Sequence, residues 1–158
     1  MDKLQLTSPA FAPEGWIPDR CAGYGEDASP ELRVEGIAEN ARAMAITLDD
    51  LGHPIHPGYN HWVAWNLPPM SVIPENLPHG ASVEQPFHIE QGVAYGKHRY
   101  RGPKPPFNWN HRYRFTVYTL DALLQISPDS GKDAFLAAAR GHILQTACLY
   151  GKYQRRHG

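Results

Sequence analysis

The chain has 158 residues, enough for one buried core, and we expect a single domain spanning residues 1–158. Its 15 basic and 16 acidic residues leave a formal charge of -1, no footprint for a polyphosphate backbone, so nucleic acid is excluded as an expected partner. With 15 Pro and 14 Gly the chain should turn often and build few long helices, and the expected class is mostly β.

The opening "MDKLQLTSPAFAPEGWIPD" lacks the apolar core and cleavage pattern of a secretory signal. No run reaches the roughly eighteen apolar residues of a membrane span, and a cytoplasmic location without a transmembrane segment is the expectation. Cys21 and Cys148 lie far apart with no Cys-x-x-Cys spacing, and read as reduced thiols.

Residues 42–50, "RAMAITLDD", are apolar or β-branched on both alternating faces, the pattern of a central strand covered on both sides. In "HWVAWNLPP", alternation sets Trp62, Ala64 and Asn66 opposite His61, Val63, Trp65 and Leu67 until Pro68 and Pro69 end a second strand. From Pro68 to Asn110 little periodicity appears. A connection this long is usually functional, and Phe87, Tyr95, Tyr100, Phe107 and Trp109 supply enough apolar area for it to be packed and ordered. "RYRFTVYTLD" alternates strictly, with Tyr113, Phe115, Val117 and Thr119 on one face, and predicts a third strand. A 3.6-residue period then predicts a helix over 132–146, capped by Asp129 or Ser130, with Phe135, Leu136, Ala139, Ile143, Leu144 and Ala147 along its apolar stripe. Gly141 weakens that helix by up to about 1 kcal/mol. The final "CLYGKYQR" suits a short closing strand.

Candidate chemistry concentrates in "DDLGHPIHPGYNHW", residues 49–62. An imidazole metal site wants rigidly presented ligands, but Pro54 and Pro57 force His53 and His56 into extended or turn geometry with no common face. Solvated loop histidines are the preferred reading, and no metal or cofactor is expected. Asp50 closes one strand and His61 opens the next, while His111 opens the third, with Tyr113 two residues on and on the same face. If the strands are neighbours, an aspartate, two histidines and a tyrosine converge at one rim beneath the long loop. A carboxylate beside imidazole fixes its tautomer, and imidazole, phenol and backbone amides offer donors, a set suited to a small anion. The alternative is that both histidines are strand-end residues satisfied by backbone carbonyls. The "GKHRYRGPKPP" stretch favours the pocket: Gly102 admits close approach, and Pro103, Pro105 and Pro106 stiffen a wall. No Gly-x-Ser-x-Gly elbow or "GxxxxGK" loop is present, and Arg112 and Arg114 read as ion-paired or solvated.

Five segments in order resemble the phosphatidylethanolamine-binding protein family, in its short bacterial and archaeal, Raf-kinase-inhibitor-like branch: "SPAFAPEGWIPDRCAGYGEDASPEL", "LDDLGHP", "NHWVAWNLP", "YGKHRYRGPKPPFNWNHRYRFTVYTLD" and "GHILQTACLYGKYQR". The resemblance implies a large antiparallel sheet packed on a smaller one, with peripheral helices. It also implies a pocket for phosphate or a phosphorylated head group, and members that regulate kinases, proteases or transcription complexes without an established common catalysis. Carried over, the pocket falls on Asp50, His61, Gly102, Pro103, Pro105, His111 and Tyr113, with Tyr59 lining the mouth. Bacterial-type relatives often pair, which makes a homodimer an implied option. The turn departs from the family's "D-P-D-A-P": Leu51 replaces a proline and Gly52 the second aspartate, which points to general anion binding rather than to an ethanolamine head. A non-enzymatic anion-binding regulator is therefore the expectation, against a metal-assisted hydrolase using the same rim, or a protein inhibitor acting through the Pro-rich loop.

Overall fold

The computed structural model describes residues 3–52 and 58–155. His53 and His56 lie outside the described residues. In chain order the strands are β1 (Gln5–Thr7), β2 (Gly15–Trp16), β3 (Leu32–Glu35), β4 (Ala43–Asp50), β5 (Tyr59–Leu67), β6 (Val72–Ile73), β7 (Ser82–Val83), β8 (Ile89–Gln91), β9 (Asn110–Leu120) and β10 (Ile143–Gln154). A single α-helix among the described residues, α1 (Lys132–Ala139), precedes the last strand.

The large sheet runs β2-β10-β9-β4-β5-β8-β7 and the small one β1-β3-β6. Among the described residues every strand pairing is antiparallel except the two-residue contact of β2 with β10 at the edge. The three expected strands became β4, β5 and β9, side by side at the centre. All eight residues of β4 are buried, as a run apolar on both faces requires. On one face Met44, Ile46, Leu48, Trp62, Phe115 and Val117 pack against Leu6, Leu32, Val34 and Ile73 of the small sheet and its flanks. On the other, Ala45, Val63, Trp65, Tyr118 and Leu120 are covered by Phe135 and Ala139 of α1, with Trp65 stacked on Phe135 at 6.1 Å between centroids.

The helix differs from its expected span. It stops at Ala139, and residues 143–154 form the longest strand, so the closing strand is longer and begins earlier than the sequence pattern suggests. Gly141 takes φ +82°, a conformation that ends a helix and that glycine adopts without strain. Beyond it, pairing along the length of β9 outweighs a weak helical preference. Leu136 and Ile143, assigned to the buried stripe, are exposed. The cap differs too: Gly131 holds the N-cap position with no side-chain bond, and neither Asp129 nor Ser130 caps the helix.

Strand β5 carries two bulges. The β4–β5 register steps from Met44↔Leu67 to Ile46↔Ala64, so two residues of β5 face one of β4, and Asn66 sits there at φ +60°. The extra residue moves Leu67 to the Trp62 and Ala64 face, opposite to simple alternation. Asn66 is held in place by Leu124, whose N–H donates to its Oδ1 (2.8 Å) and whose carbonyl accepts from its Nδ2 (2.9 Å).

Candidate functional site

The second bulge builds the site. Leu48 pairs with Trp62 and Asp49 with Asn60, leaving His61 as the extra residue. Strict alternation would send His61 toward the helix side with Val63 and Trp65. The bulge turns it onto the face that Asp50 and Tyr113 share as direct partners across β4 and β9. His111, two residues before Tyr113, lies on that face as well.

Asp50 Oδ1 accepts the Gly52 N–H at 2.8 Å, and Oδ2 accepts the Nδ1–H of His111 at 2.9 Å. The turn after β4 thus folds back onto its own carboxylate. A Cβ at Gly52 would lie 3.0 Å from both Cα and Cγ of His111, so the residue that replaces the family's second aspartate lets the imidazole pack against the turn. His61 Nδ1 donates to the Arg101 carbonyl at 2.9 Å. A carbonyl only accepts, which places the proton on Nδ1 and leaves the Nε2 lone pair facing inward. That Nε2 stands 3.9 Å from Asp50 Oδ2.

His61 and Tyr113 are each buried. Burial lowers the proton affinity of His61; the Arg101 carbonyl and the Asp50 carboxylate only partly offset it. The imidazole is therefore neutral near pH 7. Burial likewise raises the Tyr113 phenol far above its ordinary value, keeping its proton in place. Neither His61 Nε2 nor the Tyr113 hydroxyl has a hydrogen-bond partner among the described residues, and the nearby Lys104 backbone N–H only partly opposes the rise of the phenol.

These groups open into a cavity of about 370 Å³. Asp50, His61, His111 and Tyr113 form its floor, and Tyr95, Arg101, Lys104, Pro105, Pro106 and Trp109 its walls. The wall segment is tied to the loop near residues 19–28. Gly102 N–H and Arg99 both donate to Asp27, at 2.6 Å each, and the Tyr100 hydroxyl donates to the Cys21 carbonyl at 2.6 Å. Gly23 N–H donates to the Pro103 carbonyl at 2.7 Å, and the Tyr24 hydroxyl to the Pro105 carbonyl at 2.6 Å.

The structure thus brings together Asp50, His61, Pro105, His111 and Tyr113. Gly102 and Pro103 do not line the cavity: both are buried behind its surface, where a Cβ on Gly102 would lie 1.9 Å from the Cys21 carbonyl oxygen, and the Gly102 backbone lies close enough to His61 to favour its proton. Tyr59 packs its ring on Tyr95 at 4.8 Å and borders a neighbouring cavity instead. Arg112 and Arg114 are ion-paired, with Glu14 and Asp49 respectively. Sequence reasoning missed Tyr95, Arg101, Lys104, Pro106 and Trp109 as lining residues. Their signal lay in the "AYGK" turn and the basic, Pro-rich stretch after it, where the aromatics read only as packing. Among the described residues no three of His, Cys, Asp or Glu are grouped so as to hold a metal ion, and no helix is long and apolar enough to cross a membrane.

Comparisons with known proteins agree with this architecture. The family model described as phosphatidylethanolamine-binding protein matches residues 7–154. A UPF0098 protein of Pyrococcus abyssi is 38% identical over 157 residues, covering 98% of this chain and 88% of that protein. The crystal structure of a putative phosphatidylethanolamine-binding protein homologue from Chlamydia trachomatis superposes with a TM-score of 0.85 at 30% identity, over 98% of this chain and 99% of that one. Escherichia coli YbcL shares the fold, at TM-score 0.84 and 22% identity, with 98% and 100% of the two chains covered. The family match spans both sheets and every strand that places the Asp50, His61 and His111 rim, and the chain belongs to the phosphatidylethanolamine-binding protein family.

Proposed function

We propose that this protein is a non-catalytic receptor for a phosphate-type anion, inorganic phosphate or a small phosphomonoester, and acts as a regulator through what it binds. Family membership supports a ligand-binding or regulatory role. The specific reading rests on two buried atoms that face one cavity without a partner among the described residues: a lone pair on His61 Nε2 and a proton on the Tyr113 hydroxyl. Unpaired buried polar groups cost about 1–3 kcal/mol each, which a ligand satisfying both would recover.

The ligand must donate to one atom and accept from the other. A protonated phosphate does both, through its P–OH and a P–O oxygen. Sulfate carries no proton at neutral pH and offers only acceptors. It would meet the Nε2 lone pair beside the Asp50 carboxylate, with repulsion from both. Arg101 and Lys104 at the wall supply the charge that draws an anion in.

Titration with phosphate at pH 7, following the imidazole signals of His61 and His111, tests the reading. Saturable shifts in both signals are expected, with sulfate at least about tenfold weaker, the equivalent of one good hydrogen bond. The absence of any saturable change at either histidine overturns it. A second reading, a protein inhibitor acting through the Pro-rich loop, is favoured by the exposed pair Phe107 and Trp109, 71% and 46% accessible. Pull-down with the wild type and with a Phe107→Ala variant, whose exposed side chain lies outside the cavity lining, separates that role from the pocket.

A further inference from the structure

Tyr95 is a wall of two cavities at once. It borders the anion cavity of about 370 Å³ and a neighbouring one of about 610 Å³, whose other boundaries include Tyr59, Asn60, Val93, Lys132 and Leu136. Its ring lies between the two linings. The His61 ring meets it edge-on at 4.9 Å between centroids, Tyr59 packs on it at 4.8 Å, and the Arg101 guanidinium stands 4.4 Å from its centroid.

The backbone under this ring is out of keeping with its side chain. Ala94 and Lys97 exchange both backbone hydrogen bonds, at 3.1 and 3.0 Å, closing a hairpin with Tyr95 and Gly96 as its two central residues. Both have positive φ, +53° and +68°, the signs of a type I′ turn. Asn, Asp or Gly is the local preference at the first of these positions, because a Cβ there crowds the backbone. A tyrosine breaks that rule at the edge of a binding cavity, where a local violation is accepted in return for what the side chain does.

We infer that Tyr95 sets the size of ligand the site accepts: its ring, held by the left-handed turn between His61 and Tyr59, closes the anion cavity against the larger neighbour and confines the ligand to phosphate or a phosphomonoester with a small substituent. This inference rests on the anion reading above. With the ring removed, the two cavities become one and a phosphomonoester with a bulky ring can pass the position of Tyr95. Asparagine is the conservative replacement for the backbone, since it restores the preferred Asn-Gly pair, whereas phenylalanine is conservative for the ring.

The test measures the affinities of inorganic phosphate and phenyl phosphate for wild type, Tyr95→Asn and Tyr95→Phe. Wild type and Tyr95→Phe are expected to bind phenyl phosphate at least about tenfold more weakly than phosphate, a discrimination of the size a steric wall gives. In Tyr95→Asn the ratio of the two affinities should close to about threefold or less, whatever the change in phosphate affinity itself. Its melting temperature should be no lower than that of wild type, which shows that a favourable turn replaced a strained one and that the fold survived. The inference is overturned if wild type binds both anions equally, if Tyr95→Asn keeps the wild-type ratio, or if Tyr95→Phe loses it. A wild-type protein that binds neither anion removes the anion reading itself. Phosphate binding with an unresponsive ratio removes only the role of Tyr95.

Discussion

Asp49 and Asp50 are adjacent, both buried and on opposite faces of β4, yet their surroundings differ in kind. On the helix side, the Asp49 carboxylate accepts from Lys132 Nζ at 2.8 Å, Asn60 Nδ2 at 3.1 Å and Arg114 Nη2 at 3.2 Å. Three elements, β5, β9 and α1, are pinned to one carboxylate, and its acceptors are used by the chain itself. On the other side, among the described residues, Asp50 receives only Gly52 and His111, with a second imidazole at 3.9 Å whose Nε2 has no partner there. A buried charge enclosed by its own chain holds elements together. One whose shell leaves atoms facing a cavity holds a place for a ligand.

Removing each aspartate's surroundings should therefore damage different properties. Asp49→Ala strands Lys132 and Arg114 and detaches α1 from the sheet. We expect a stability loss of about 2–3 kcal/mol by urea unfolding, below the full range for a buried ion pair because the two cations keep 19% and 32% of their side chains exposed. Phosphate affinity of the folded protein should stay unchanged. A loss of binding as large as the loss of stability would erase the distinction between the two faces.

His111→Ala acts on the Asp50 side. It removes the donor at 2.9 Å and leaves a buried carboxylate oxygen unpaired, at a cost of about 1–2 kcal/mol. Phosphate affinity should fall by at least about tenfold. His61→Ala should match that fall in affinity, with a stability loss of about 1–2 kcal/mol that comes from the Nδ1 bond to the Arg101 carbonyl, since Nε2 has no bond to lose within the described residues. Isothermal calorimetry beside urea unfolding compares the two; a stability loss for His61→Ala well above that for His111→Ala would count against an unsatisfied Nε2.

The pH dependence sharpens the same point. Burial depresses His61, so the folded protein takes up fewer protons there than the unfolded chain. The stability this confers is fully present above the unfolded value of about 6.5 and is lost as pH falls through the lower folded value, with a slope of at most about 1.4 kcal/mol per pH unit. Urea unfolding between pH 7.5 and about 5 reads it, and His61→Ala should flatten the acid limb. Sulfate binding, weak at neutral pH, should strengthen by up to about tenfold per pH unit over that limb, as the proton missing from the ligand arrives on the imidazole.

How much of this was legible in the sequence depends on how local each cause is. β4, β5 and β9 are readable because alternation is written along each strand, Asp50, His61 and His111 because each lies at or near the end of one, and Tyr113 because it follows His111 by two residues on the same face. The face of His61 was not: simple alternation assigns it to Val63, and only the register against β4 reveals the bulge that reverses it. The helix was overextended because "ILQTACLY" carries no strong local preference, and the partner that makes it a strand is β9, reached only after the chain turns back at Gly141. Gly102 and Pro103 read as wall residues in the sequence, and their burial behind the cavity surface is not legible there, since the bonds that bury them come from Asp27 and Gly23, far back in the chain. Tyr95 reads as a packing aromatic in the sequence, and nothing in its neighbours foretells that it borders two cavities.

The smallest expected effect separates the mouth of the site from its floor. Lys104 lines the cavity, is solvent-exposed, and carries its ammonium 5.6 Å from the centroid of the Tyr24 ring. A charge so placed acts on an incoming anion through water, where attraction is weak and screened over about 8–10 Å at physiological salt. Lys104→Ala should weaken phosphate binding by only about two- to threefold at low ionic strength, mostly through slower association, and the difference should vanish near 0.5 M salt, a concentration on the order at which screening becomes nearly complete. The floor behaves otherwise: the contribution of His61 and Tyr113 comes from buried donors and acceptors at short range, and salt should hardly change it. Stopped-flow association rates for wild type and Lys104→Ala across a salt series distinguish the two, and a Lys104 effect that persists undiminished at high salt would place its ammonium in direct contact with the anion, as part of the floor.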